Sequence, residues 1–424
     1  MNWWNKYRNH ISFWILGLSN NYSYVIMLSA AFDIIAENDR KPGVSGGGDD
    51  ITADDYDDNN NNKNSTTFQC NSSSTGAVLI ADILPCLIIK LLAPFVFTNT
   101  NFRVSLVVIL SAMSFILTSI STNIYYSYIG IVCASLSSGL GETTYLSYTS
   151  KFDLRVISYW SSGTGASGLL GSLSYAFLTT IGLTPKTTLL VMLVIPVLMA
   201  FTFWCIITEP TVPHDDSIAE VISPLICDES TDGVDDCTDE TIVLNPNNSG
   251  DKMTIWQMIV YIKSLLKYML PLMFVYLFEY FINQGLFELV YFPGIWLTQK
   301  EQYRWYNVDY QIGVLISRSS ISFLKIQKLY LLAILQLVNV LIVLTQLWTQ
   351  FMPTIWIMLA LVLFEGLLGG AAYVNTFYRI YSEVNQKYKS YALSITTLSD
   401  SIGITIAGFT ALPVHDAICE HLKY

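Results

Sequence analysis

Charged side chains are scarce in this sequence. Only 13% of its 424 residues are Asp, Glu, Lys or Arg, against 52% hydrophobic, whereas a soluble domain carries about 25% charged residues. The shortage points to a chain that crosses a membrane many times. Histidine is scarcer still, with four copies. No HExxH run, Ser-His-Asp arrangement or paired-carboxylate pattern suggests catalysis, so an enzyme is not expected. The seven cysteines are scattered, with no close CxxC or CxH pair, which supports neither a disulfide framework nor a metal site. Cys86, Cys133 and Cys205 sit in apolar runs and read as packing residues. No basic stripe suggests nucleic acid.

What charge there is lies unevenly. The net charge is −11, but Asp49 to Asp58 holds six Asp and Glu209 to Asp251 holds twelve acidic residues. Outside these two segments the chain has 15 acidic and 22 basic residues. The acidity therefore belongs to loops and implies no basic partner. Residues 38–75, with GGGDD and NNNNKN, form a low-complexity linker that cannot bury a core. It holds two sequons, at Asn64 and Asn71, which argue for glycosylation on a luminal or extracellular side.

Between the loops lie apolar runs of membrane length. Eleven spans are expected: Ile11–Ala36, Gly76–Val96, Phe102–Ser121, Tyr125–Thr149, Val156–Gly182, Thr187–Thr208, Tyr268–Phe292, Trp305–Ile316, Gln327–Leu347, Pro353–Tyr381 and Tyr391–Leu412. The long ones have the roughly 20 residues needed to cross about 30 Å of hydrocarbon. Trp305–Ile316 is short and amphipathic, so it either crosses the membrane or lies on it. The division that follows is a polar N-terminus (1–10), an N-terminal helical half (11–208), an acidic loop (209–254), a C-terminal helical half (255–412) and a tail (413–424). An amphipathic lead-in, Ile255 to Lys267, precedes the seventh span. With the N-terminus in the cytosol, fourteen Lys and Arg fall inside and seven outside. That bias favours this orientation and places Asn64 and Asn71 outside.

The stretch Ser137 to Ser174 has a faint echo near the C-terminus. Gly141, Tyr145 and Ser147 line up with Gly369, Tyr373 and Asn375, an offset of about 228 residues. Ser161, Ser162 and Gly165 line up with Ser399, Asp400 and Gly403, an offset of about 238. The echo pairs spans 4 and 5 with spans 10 and 11. That is the register of a six-helix parallel repeat, as in the two halves of major facilitator proteins. The expected fold is an all-α polytopic membrane protein, major-facilitator-like, with about eleven transmembrane helices in two pseudo-repeated halves.

A charge at mid-membrane costs about 2.5–3.5 kcal/mol on insertion scales, so ionisable residues there usually face an interior or a wet cavity. Glu142, Glu279, Glu288, Glu365 and Asp400 are such residues. Glu279 and Asn283 are four apart, as are Gln284 and Glu288, which lays two polar stripes on one helix. They read as the wall of a substrate pathway, or as interhelical hydrogen-bonding groups. Glu365 shares a face with Gly369 and Tyr373, beside a Gly366/Gly370 pair suited to close helix packing. The run from Ser161 and Ser162 to Gly168 offers hydroxyls and glycine-exposed amides that could hold phosphate or carboxylate oxygens; helix packing explains it equally well. No strand precedes it and no Walker lysine follows, so no nucleotide cofactor is implied. Lys90 and Arg318 are the cations available to an anionic cargo. Lys90 could instead snorkel to the interface, and Arg318 could anchor its helix end. A buried carboxyl can load and release a proton, which makes Glu279 or Glu288 the candidates for proton coupling.

Several motifs resemble those of one family. VISYWSSGTGASGLLG from Val156, FEYFINQGLFEL from Phe278, SRSS at 317–320, FEGLLGGAAYVNTF at 364–377 and SDSIGITIAG at 399–408 are similar to the battenin family, lysosomal membrane proteins linked to juvenile Batten disease. The resemblance covers most of residues 11–420. It implies a major-facilitator-like fold, a late endosomal and lysosomal address, and a role in lysosomal homeostasis. Family members are linked to lysosomal pH, basic amino acids and glycerophosphodiester clearance. The family's prenylation box is not matched, since five residues follow Cys419. Glu220, Leu225 and Ile226 resemble the family's acidic dileucine sorting signal, which implies clathrin-adaptor-type machinery as a partner. The reading is a transporter of small polar solutes in a lipid bilayer, with protons as a possible coupling ion. A membrane scaffold acting through its cytosolic loop is the alternative.

Overall fold

The computed structural model describes residues 3–39, 75–96, 99–121, 124–210 and 255–422. Among these, eleven helical rods account for the architecture. The first half holds α1 (Trp3–Asp39), α2 (Thr75–Val96), α3 (Thr100–Ser119), α4 (Ile124–Thr149), α5 (Arg155–Thr180) and α6 (Pro185–Ile206). The second holds α7 (Ile255–Phe281), α8 (Gln299–Ser319), α9 (Leu329–Thr349), α10 (Ile355–Glu383) and α11, which has two segments, Gln386–Thr396 and Leu398–Leu422. Local signals fix several starts. Asn99 caps α3 by accepting from the amides of Asn101 and Phe102. Thr184 caps α6 ahead of Pro185, and Thr298 and Glu301 form a capping box at α8.

Three expectations change. The amphipathic lead-in from Ile255 is no separate element; it continues into the seventh span as one helix. That helix does not stay α-helical to its end. After Phe281 it becomes a π-helical turn (Ile282–Leu286) and then a 3-10 turn (Phe287–Leu289). Thirdly, α11 runs through Pro413 to Leu422, so the segment read as a tail prolongs a helix. The short span at Trp305–Ile316 belongs to α8, whose 21 residues reach about 30 Å at 1.5 Å per residue. Its polar face, with Gln302, Tyr306, Tyr310, Ser317 and Arg318, is interior. The helix packs between α5 and α10. Asn64, Asn71, Glu220, Leu225 and Ile226 lie outside the described residues.

The halves meet where α2 packs on α11 and α5 on α8. Within the halves, α1 packs on α5 as α7 does on α11, and α2 on α4 as α8 does on α10. Close backbone approach reveals the register. A side chain at Gly163 would collide with the Trp14 carbonyl and lie 3.0 Å from the Leu18 nitrogen. One at Gly403 would collide with the Met273 carbonyl and lie 3.0 Å from the Leu277 nitrogen. Likewise the space beside Gly141 is filled by the Asn20 side chain, and that beside Gly369 by the Glu279 carboxylate. Trp14 to Met273 and Asn20 to Glu279 give one offset, 259 residues, for α1 and α7. The 228-residue offset between α4 and α10 stands. The α5–α11 offset is 240, from Gly163 to Gly403, and not 238. Asp400 is therefore the counterpart of Trp160 rather than of Ser162.

At the end of the bundle where α1 begins lie Lys6, Arg8, Lys151, Arg155, Lys263, Lys267, Arg379, Lys387 and Lys389. Lys186 and Arg304 lie at the opposite end. The first is called the basic end below.

Candidate functional site

Charge converges where the two halves meet. The Lys90 ammonium on α2 lies 2.6 Å from Glu142 on α4 and 2.8 Å from Asp400 on α11. It also donates to the Thr397 carbonyl at 3.1 Å. Lys90 is only 2% exposed. Its place is thus the reverse of snorkelling: a long stem carries the ammonium inward to two carboxylates. One cation between two acids, with the backbone of α11 as a further acceptor, meets the need of a buried charge for both pairing and hydrogen bonds. Because Glu142 and Asp400 come from different halves, the ammonium also ties the halves together.

A second cation sits on α8, the helix that corresponds to α2. Arg318 on α8 follows Lys90 by 228 residues, the α4–α10 offset. Its guanidinium donates to the Thr164 hydroxyl on α5 at 2.7 Å and to the Tyr276 hydroxyl on α7 at 2.8 Å. It lies over the Tyr373 ring, 4.1 Å from the centroid, a cation–π contact. Its stem threads between Gly165 on α5 and Gly370 on α10. Gly370 is the register counterpart of Glu142. Where Lys90 meets a carboxylate, Arg318 meets a glycine. Among the described residues Arg318 has no ion-pair partner, and its Nε has no acceptor. Arg318 is 9% exposed, so it does not merely anchor a helix end in water.

Tyr373 links the two cations. Its hydroxyl donates to Glu142 at 2.6 Å and accepts from the Trp160 indole at 3.2 Å, while its ring carries Arg318.

Other expected residues divide into groups. Glu279 accepts from the Tyr310 hydroxyl on α8, and its other oxygen is buried without a partner. Asn283 and Glu365 are buried too, each with an unpartnered oxygen. Gln284 is half-buried. Glu288 is not a mid-membrane group. The π and 3-10 turns break the four-residue spacing to Gln284 and put Glu288 at the end of the rod, where its carbonyl accepts from the Gln299 side chain. Asn375 does not face the cations; it clasps the α8–α9 connection by accepting from the Ile326 amide at 2.7 Å. Ser161 is buried with its hydroxyl unpartnered. Ser162 lies 2.9 Å from the Ser319 hydroxyl across the interface and accepts from the Trp14 indole. The backbone around them is regular helix, which uses the amides the glycine-rich run seemed to offer. The run contributes Thr164 and Gly165 instead.

Residues missed from sequence include Tyr276, Trp160 and Tyr310, each of which reads as an ordinary helix residue. Asp82 on α2 was missed as well. It is buried, with the Tyr24 hydroxyl of α1 beside its carboxylate. Among the described residues, four further hydrogen bonds between the halves lie from mid-bundle to the basic end. They join Cys86 to Ser401, Ser147 to Ser390, Tyr381 to the Phe152 carbonyl and Gln386 to the Ser150 carbonyl.

This arrangement has relatives. The family model described as CLN3 protein matches residues 11–421. Battenin of Canis lupus familiaris is 43% identical over 98% of this chain and 92% of its own length. Protein BTN1 of Yarrowia lipolytica is 33% identical over 97% and 95%. Among solved structures, the human organic anion transporter MFSD10 aligns with a TM-score of 0.57 at 9% identity, covering 98% of this chain and 96% of that one. A bacterial homolog of the human lysosomal transporter Spinster gives 0.52 at 13% identity, covering 97% and 82%. The E. coli fucose:proton symporter gives 0.53 at 11%, covering 96% and 98%. At these identities the solved structures speak for the fold alone, that of major facilitator transporters. The chain is a multi-pass, transporter-like membrane protein, and it belongs to the battenin family.

Proposed function

We propose that this chain carries small polar solutes bearing an anionic group, glycerophosphodiesters in particular, across a late endosomal or lysosomal membrane, and so maintains lysosomal composition and pH. Arg318 carries the reading. It is a buried cation at the seam between the halves, lacks a carboxylate partner, and has donors unspent. A planar guanidinium is suited to phosphate oxygens, which it can grip with two parallel hydrogen bonds. Tyr276, Tyr373 and Thr164 fix its orientation. Basic amino acids fit less well beside an uncompensated cation. Protons are the coupling ion in this reading. The lysosomal address is supported by membership of the battenin family and by the dileucine-like Glu220, Leu225 and Ile226. Asn64 and Asn71 are the proposed glycosylation sites on the luminal side.

The test is flux in proteoliposomes. Glycerophosphocholine and related diesters are compared with Lys and Arg, for the unmodified protein and for Arg318→Gln. Saturable diester flux that the variant loses while staying folded supports the proposal. Flux of Lys or Arg but not of diesters would refute the cargo class. No flux from folded protein would shift the question to a scaffold role, tested by deleting residues 211–251.

A further inference from the structure

We propose that Glu279, Glu365 and Asn283 form a site that binds one exchangeable proton, distinct from the cation at Arg318. The inference rests on the reading of the chain as a proton-coupled carrier and assigns the place where the proton sits.

The argument is a hydrogen-bond account. Buried polar atoms in native proteins nearly always have partners, so each exception calls for a cause. Three such exceptions lie close together in sequence register: one oxygen each of Glu279 on α7 and Glu365 on α10, which face each other beside Gly369, and that of Asn283, four residues on from Glu279 in the π turn that packs on α9 and α11. All three side chains are at least nine-tenths buried. The Glu279 carboxylate fills the space beside Gly369. Glu365 is one turn from Gly369 on the same face of α10, and Asn283 is the next turn of α7. Glu279 is also the charge that acts on Glu365. The oxygens are acceptors, and what the site lacks is a donor hydrogen.

The surrounding groups do not supply it. From α8, Tyr310 spends its hydroxyl on the other Glu279 oxygen. Asp309 on α8 adds a half-buried carboxyl near Leu363 of α10. Arg318 is the nearest cation, but its terminal nitrogens point to Thr164 and Tyr276. From α7 itself come the Tyr276 and Tyr280 hydroxyls, and from α1 the Tyr24 hydroxyl. Asp400 on α11 is held by Lys90. On α9, Asn339 donates its amide to Gln336. Two ionised carboxylates here would face each other with no cation between them, which a buried site resists. One proton resolves this. It converts one carboxylate to a carboxyl, whose O–H donates to the other carboxylate or to the Asn283 oxygen. It is taken from hydronium, leaving water, and returned to water on release. Asn283 stands in the π turn Ile282–Leu286, a backbone form often found at functional sites. That turn packs on α9 and α11, so a shift of it would move Asn283 away from the two carboxyls and free the proton.

The experiment is infrared difference spectroscopy on the full chain in nanodiscs, acid minus neutral. The expected result is a carbonyl stretch of a buried carboxyl that titrates, shifts in Glu279→Gln and in Glu365→Gln, and disappears in the double variant. Retention of the band in the double variant overturns the proposal, as does the absence of any such band. Replacing potassium by sodium should leave the band in place; its loss in sodium would make the site one for a metal cation and overturn the proposal too. A second readout uses glycerophosphocholine in vesicles. The ratio of proton-driven accumulation to solute exchange should fall in each single variant. If the unmodified protein moves no solute at all, the carrier reading fails, while the infrared result still decides the proton site.

Discussion

The two halves of this molecule each bury a cation on corresponding helices, α2 and α8, and treat it differently. Lys90 is compensated, with two carboxylates and a carbonyl around its ammonium. Arg318 meets hydroxyls, an aromatic face and a glycine. Among the described residues, the same scaffold thus holds one charge paired with carboxylates and one that is not. A pseudo-repeat lets one cation join the halves through ion pairs while the other, in the proposed function, meets the solute.

Removing Lys90 is the strongest way to break this contrast. Lys90→Met strands two buried carboxylates and should cost about 3–5 kcal/mol, seen as a large fall in thermal midpoint in detergent. Adding Glu142→Gln and Asp400→Asn should recover most of that loss. Arg318→Met strands no carboxylate, and should cost about 1.5–3 kcal/mol while abolishing diester flux. If it destabilises the protein as much as Lys90→Met does, the two cations are not different in kind. Tyr373→Phe removes the hydroxyl that bridges them. About 1–2 kcal/mol should be lost, since Glu142 keeps Lys90, and the variant should weaken but not abolish flux. The smallest effect belongs to the basic end. Lys151 lies 2.9 Å from Glu209, both largely exposed. Hydrogen bonds from Lys151 and Tyr148 hold the Glu209 carboxyl below its ordinary range. A lowered carboxylate stabilises the fold above its unfolded value, and the gain vanishes as the pH falls through the folded one. Lys151→Ala should therefore cost at most about 1 kcal/mol at neutral pH and nothing in strong acid, measured by unfolding at both.

Much of this was legible in the sequence. The rods, the repeat and most buried acids could be read because apolar length and rare charge are one-dimensional signals. Glu142, Asp400, Glu365 and Tyr373 stand out among apolar neighbours and prove to be interior. What failed depended on three-dimensional neighbours. Lys90 could be snorkelling or pairing, and only the placement of α4 and α11 decides. The two-residue slip in the α5–α11 register arose because Ser and Gly letters can be matched at more than one offset. The fold aligns instead the glycines that touch the backbones of α1 and α7. Glu288 was misplaced because α-helical spacing was carried through a π turn, for which the sequence has no clear sign. Asn375 looked like a pathway residue because a buried amide that clasps a connector and one that meets a solute are the same letter.

The bonds between the halves gather from mid-bundle to the basic end. That distribution has a kinetic meaning. Opening that end exchanges the Lys90, Tyr373, Tyr381 and Gln386 contacts for water as a group, because they bridge the same two bodies. The neutral bonds contribute about 0.5–1.5 kcal/mol net each and those of charged Lys90 more, and their loss is concerted, so the barrier reflects the sum. Motions of this size take microseconds to milliseconds or longer. Under the proposed carrier function, turnover should then be set by how often this clasp lets go, and its rate should climb steeply with temperature even where the affinity for solute does not change.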